Sequence, residues 1–345
     1  VKQIDLRPRS DNENVFPIAV FWWVSWTWIS IGIGNKESKG NQMNESKRIK
    51  KGWLRVVLII VPFVVFIGVA QMMAMMVLGI KLSERNFVPN TFQNTVLALS
   101  MLLATIAVVA MFREWVDRES FRSLGFKLKN AGKELAIGTL LGIVMITAGF
   151  VLLVSMKEIA WTGTNPDLSS LLLSVVLFLA VAFNEELIFR GYILSNLMCS
   201  MNRYVALAVT SLLFSLVHLG NDSFSWFSFL TILLAGLLLG LPYIYTKSLW
   251  LPVALHFSWN FFQGTIFGFN VSGNREYSLI TQTREADTLM NGGAFGFEGS
   301  ILSVIFLLTA FCALWIYYSR KENLVPATVP VKEATGSVLE ADVLE

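Results

Sequence analysis

Charge is scarce in this chain. Asp, Glu, Lys and Arg make up 15% of its 345 residues, against roughly 25% in an average soluble protein. Residues 56–80 and 91–112 hold no charged side chain at all, and each run reaches the ~20 residues that a helix needs to cross a ~30 Å hydrocarbon layer. A soluble fold is thereby excluded. The ten-residue alternation of an outer-membrane β-barrel is missing too, which removes the other way of spanning a membrane. Cysteine is down to two residues, Cys199 and Cys312, which form neither a disulfide framework nor a paired metal motif. A formal net charge of +3 offers nothing for a phosphate backbone to hold, so no nucleic acid is expected as a partner.

What is present is hydrophobic: 54% of the residues are apolar and 13% aromatic. The fold class expected is all-α, a polytopic membrane protein with an eight-helix transmembrane bundle. Its segments are placed at about 54–80, 91–112, 135–156, 168–200, 204–219, 225–245, 249–269 and 301–318. Lys and Arg cluster at alternate ends of these segments: Lys47 to Lys51, the stretch from Arg113 to Lys133, then Arg203, Lys247, Arg320 and Lys321. This bias places both ends of the bundle in the cytoplasm. The stretch from Arg113 to Glu134 mixes charges with Trp115, Phe121, Leu124 and Phe126, as an interfacial amphipathic segment would.

Four regions follow. Residues 1–42 are an N-terminal extension of uncertain origin. The first Met is Met43, followed by a basic run into an apolar helix, which reads as a natural start. Residues 15–34 are either one extra N-terminal helix or translated upstream sequence, with a removable signal peptide as the third option. Residues 43–134 carry the N-terminal transmembrane helices and the interfacial segment. Residues 135–318 form the transmembrane core that holds the candidate site, and 319–345 a disordered cytoplasmic tail.

An ionisable group at the bilayer centre costs about 2.5 to 3.5 kcal/mol on insertion scales, so such groups are few and face the bundle. Within the segments they are Glu185, Glu186, Arg190, His218 and His256, with Arg55 at an edge, and they include both histidines of the chain. A lone histidine on an apolar helix is ordinarily a satisfied interior residue. Two histidines with two adjacent carboxylates on three helices point to a site.

Spacing sharpens this. Glu185 and His218 stand the same number of residues before and after the polar turn at 200–203, hence at one height on neighbouring helices. His256 and Asn260, four apart, share a helix face, as do Glu186 and Arg190, the latter in the favourable acid-before-base order. Arg190 is expected to compensate Glu186 and leave Glu185 free for chemistry. A salt-bridge network that only joins helices is the plainer alternative, but a second buried acid adds cost without structural need.

The three motifs Glu185-Glu-Leu-Ile-Phe-Arg190, Phe214-Ser-Leu-Val-His218 and His256-Phe-Ser-Trp-Asn260 resemble those of the CAAX-protease and bacteriocin-processing (CPBP, or Abi) family of intramembrane endopeptidases. The core likeness covers about 168–270, and the stretch Gly292 to Ser300 resembles one common in bacterial members. No motif position departs from the pattern. The resemblance implies that Glu185 and His218 activate a water for attack on a peptide carbonyl. It implies that His256 and Asn260 stabilise the oxyanion or help bind a metal, and that Glu186, Arg190 and Phe214 shape the site. A divalent metal, zinc, on Glu185, His218 and His256 and a metal-free glutamate mechanism both remain open.

The expected substrate is a membrane-associated peptide or protein, and the expected location the inner membrane of a bacterial cell. Two other functions compete. One is a noncatalytic bacteriocin-immunity or scaffold protein that uses the polar cluster for binding. The other is ion or proton translocation, weakened by the lack of a repeat or a broken-helix pair.

Overall fold

The computed structural model describes residues 49–80 and 88–323. The expectations for residues 1–42, for a start at Met43 and for the tail beyond 323 lie outside these. The described residues form eight helices, and the fold is that of an all-α polytopic membrane protein. The helices are α1 (Gly52–Val77), α2 (Thr91–Trp115), α3 (Ala131–Ser155), α4 (Leu168–Glu186), α5 (Arg203–Val217), α6 (Trp226–Thr246), α7 (Trp250–Asn260) and α8 (Ile301–Asn323). Two of them change pitch: α4 continues as a π-helix, Leu187–Leu194, and α7 as another, Phe261–Ile266.

Polar residues mark where helices start. Asn90 and Gln93 make a reciprocal capping box for α2. Asp167 accepts from the Ser169 and Ser170 amides ahead of α4, Asn202 from Tyr204 ahead of α5, and Ser225 from Ser228 ahead of α6. Each cap satisfies amides that an N-terminal turn leaves unpaired. Lys247 ends α6 in the left-handed conformation, φ 53°, which turns the chain straight into α7.

Among the described residues seven helices are long and apolar enough to span a membrane. The segment expected at 249–269 is the short member: eleven α-helical residues run into six of π-helix. It survives as an interior element because it is sheathed, packing chiefly on α3 and α4. A Cβ at Gly138 or Gly142 of α3 would strike the α7 backbone or Ser258. These two glycines, four apart, let the backbones approach as small residues do between membrane helices. At the other extreme, α1 presents Val57, Val61, Val64, Met72 and Met76 outward, the surface a lipid-facing helix needs.

Several expectations are corrected. The stretch 113–134 is not one amphipathic element. It is the end of α2, a 3-10 turn (Phe121–Leu124) and a loop into α3. The turn is tied to the core: Leu124 is fully buried, and the Tyr243 hydroxyl donates to its carbonyl at 2.9 Å. Residues 319–323 continue α8 rather than belonging to a disordered tail. The long outer loop carries one strand of a short sheet: β1 (Ala160–Thr164) pairs antiparallel with β2 (Ile280–Thr283), Ala160 opposite Thr283. Glycines 273 and 296, both at positive φ, press on the Asp222 and Asn270 backbones. Only a residue without Cβ fits there.

Asp117 was also missed as an interior charge. It is fully buried with Arg113, Nη1 to Oδ2 2.8 Å, and Arg55, Nε to Oδ1 3.7 Å, while Asn196 donates to it at 3.0 Å. This cluster joins α1, α2 and the end of the α4 extension at one level. Both cysteines are free and exposed.

Candidate active site

The π-helix that follows α4 starts immediately after Glu186, and the one that follows α7 starts immediately after Asn260. Single π turns inside α-helices concentrate at functional sites, where they re-aim side chains. Here both lie directly downstream of the suspected chemistry.

Glu186 is the buried hub. Its side chain is wholly inaccessible, and its Oε1 receives the Arg190 Nη1 at 2.8 Å and the His256 Nδ1 at 2.8 Å. Arg190 spends its second nitrogen on the Gly236 carbonyl of α6, at 3.2 Å, and its guanidinium lies 4.5 Å from the centre of the Phe214 ring. One carboxylate thus ties α4 to α7, and its cation ties α4 to α6 and α5. The expected i, i+4 pair is present, with His256 as an additional partner that helix spacing does not reveal.

Glu185 differs. Its side chain keeps 23% exposure and faces a cavity, with Oε2 3.8 Å from the His256 Nε2. That separation is too long for a direct hydrogen bond and suits a shared water. His256 therefore has one nitrogen committed to Glu186 and the other turned towards Glu185.

His218 begins a 3-10 turn at the end of α5, and its Nδ1 lies 2.7 Å from the Phe214 carbonyl. A carbonyl can only accept, so Nδ1 carries the proton and a neutral ring keeps a lone pair on Nε2. The Phe214 ring packs against the His218 ring at 4.8 Å between centres and lies 6.4 Å from that of His256.

Glu185, His218, His256 and Asn260 all line one open cavity of about 920 Å³, together with Phe214. Its walls are otherwise mostly apolar, from Phe63 and Ile67 of α1 and Met101 of α2 to Leu239 of α6. The structure thus brings Glu185, Phe214, His218, His256 and Asn260 to one cavity, with Glu186 and Arg190 bonded behind His256, and leaves Arg55 in the separate cluster at Asp117. It does not gather Glu185, His218 and His256 as a metal-ligand set. Among the described residues no three His, Cys, Asp or Glu side chains are grouped so as to hold an ion.

Sequence reasoning passed over the outer loop's contribution. Residues Val271 to Glu276 and Glu298 also line the cavity. Burial pushes the Glu276 carboxyl up to about 7, against the pull of an Asn94 amide that donates to it at 2.9 Å. Folded Glu276 therefore holds its proton more tightly than the unfolded chain does. Stability from this source is complete below the unfolded value near 4.5 and is lost as the pH rises through about 7. Glu276→Gln is expected to flatten the decline in melting temperature between pH 5 and pH 8. A variant that declines as steeply as the native protein contradicts that assignment.

Residues 167–262 match the family described as type II CAAX prenyl endopeptidase, Rce1-like. The match bears out the family resemblance read from the three motifs. It runs from the Asp167 cap into the π-helix after Asn260 and contains all seven residues named from those motifs. No curated protein and no solved structure matches the chain.

Proposed function

We propose that this integral membrane protein is an endopeptidase that hydrolyses a peptide bond near the C-terminus of a lipid-anchored or otherwise membrane-associated peptide or protein. The observation that carries the proposal is the cavity itself. One carboxylate that stands outside the Glu186–Arg190 pair and one imidazole with a free lone pair face an apolar space inside a helix bundle.

Glu185 and His218 take a proton from a water, whose oxygen forms a bond to the carbonyl carbon. The carbonyl electrons move onto oxygen, and His256 and Asn260 supply donors to that oxyanion in a site largely cleared of bulk water. Collapse breaks the C–N bond, and the proton taken from water passes to the leaving amine, so a carboxylate and an amine are the products. Glu186 and Arg190 hold His256 in place and touch no substrate. The likeness of Gly292 to Ser300 to bacterial members supports an inner-membrane location, with a bacteriocin or processed peptide as one source of substrate.

A noncatalytic immunity protein or scaffold has no need of a Glu185 kept out of the Glu186–Arg190 pair. The proposal is tested with purified protein in detergent micelles and a quenched fluorescent peptide that ends in a farnesylated CAAX sequence. The expected result is release of the C-terminal fragment, with much weaker turnover of the same peptide lacking the farnesyl chain. Binding of the lipidated peptide without cleavage contradicts it and favours the scaffold.

A further inference from the structure

The helices run in alternating directions, so their connections fall at two ends of the bundle. Long-range contacts group the first end. Asp117 after α2 meets Arg55 of α1, the Lys127 carbonyl ahead of α3 accepts from Trp250 of α7, and Arg203 of α5 pairs with Glu322 of α8. At the second end Gly273 presses on the Asp222 backbone, Asn94 donates to Glu276, and Thr288 donates to Glu158. Basic residues divide unequally between the two. The first end holds most of them, from Lys50 and Lys51 through the run of Lys and Arg at 113–133 to Arg320 and Lys321, whereas the second, among the described residues, holds Lys157, Arg275 and Arg284. That bias turns the first end to the cytoplasm.

The cavity belongs to the second end. Each loop residue that lines it lies there: Val88 and Pro89, Asn221 and Asp222, the stretch 271–276, and Glu298. Among the described residues, none of 113–135, 195–205 or 244–252 lines it. His218 stands where α5 finishes, beside that mouth. The way from the cytoplasm is closed. Asp117, Leu124, Tyr192 and Leu194 are fully buried, and a Cβ at Gly52 would strike the Asn196 carbonyl. Roughly 15 Å of packed helix separates Glu185 from Asn196 at that closed end.

We propose that the site opens on the face opposite the cytoplasm, so that its substrate is a peptide or protein whose scissile bond already stands outside the cytoplasm. The identification of a substrate rests on the peptidase reading above; the direction of the opening rests on the bundle alone. A translocation step must then precede cleavage, and the released fragment leaves on the outer side. A chain arriving from the cytoplasm would have to thread the closed half of the bundle with its backbone amides and carbonyls unpaired, which an apolar interior penalises by several kcal/mol per group.

Sealed right-side-out membrane vesicles test this in two ways. In a chain carrying Cys199→Ser and Cys312→Ser, the exposed cavity-rim residue Asn274 and the exposed Leu128 of the loop ahead of α3 are replaced singly, Asn274→Cys and Leu128→Cys. A membrane-impermeant maleimide should label Asn274→Cys in sealed vesicles and Leu128→Cys only after the vesicles are opened. The reverse pattern, or labelling of both while sealed, overturns the proposal. If Asn274→Cys does not fold, Leu289→Cys in the same loop, 63% exposed in the native chain, takes its place. The quenched farnesylated peptide, bearing a sulfonated dye that cannot cross a bilayer, is then added outside vesicles of the native protein. Cleavage at the rate reached after opening with detergent is expected, and none with Glu185→Gln. Cleavage that begins only on opening overturns the outward site and leaves the peptidase reading intact. No cleavage even in detergent is a failure of the peptidase reading, and the labelling then decides the direction of the opening by itself.

Discussion

Glu185→Ala and His218→Ala are each expected to reduce turnover by at least about 10²- to 10⁴-fold, the usual contribution of a positioned acid or base, while the protein stays folded and inserted. The expectation of intact folding comes from the geometry. Glu185 is partly open to the cavity, and its Oε2 lies 3.8 Å from the His256 Nε2. Among the described residues His218 bonds to a carbonyl of its own helix. Neither truncation strands a buried charge. Melting curves in detergent, recorded with the activity assay, should show native-like transitions for both. Turnover at the native rate in both variants would remove the catalytic assignment.

Arg190→Ala should act in the opposite way. Arg190 is 1% exposed, and the variant removes the cation from a wholly buried Glu186, a donor from the Gly236 carbonyl and the charge facing Phe214. Breaking a buried pair from one side typically costs about 3 to 5 kcal/mol, so a large fall in melting temperature is expected along with lost activity. Glu186→Gln, which leaves the cation and His256 without their shared carboxylate, should also lower stability. If Arg190→Ala melts like the native protein while Glu185→Ala melts far lower, the structural and catalytic carboxylates have been exchanged.

The sequence made the site legible because a membrane interior leaves so few reasons for charge. With five ionisable residues inside apolar segments, equal distances from one turn were enough to bring Glu185 and His218 to a common cavity. Helical spacing likewise predicted the Glu186–Arg190 pair and the shared face of His256 and Asn260. Spacing along a helix could not disclose contacts between helices. The His256 bond to Glu186 depends on how closely α7 approaches α4, which spacing within either helix does not reveal. Gly138 and Gly142 signal only the close approach of α3 to α7.

Asp117 was overlooked because it follows the last apolar residue of α2 among charges that look solvated. Arg113, four residues before it, and the distant Arg55 and Asn196 together hold it inside. The outer loop's place at the cavity was not legible either. Gly273 and Gly296 mark backbone contacts with Asp222 and Asn270 that bring Glu298 to the cavity lining, a placement set by residues far apart in the chain. The pitch changes after Glu186 and Asn260 leave no pattern that composition or periodicity detects.

The account stands most directly on the claim that Glu185 activates the attacking water. The farnesylated peptide, incubated in ¹⁸O-water with native protein and with Glu185→Gln and analysed by mass spectrometry of the products, tests it. The native protein should give one internal cleavage with ¹⁸O in the new carboxylate, and folded Glu185→Gln should leave the peptide intact. Labelled product formed by Glu185→Gln at the native rate would contradict the claim.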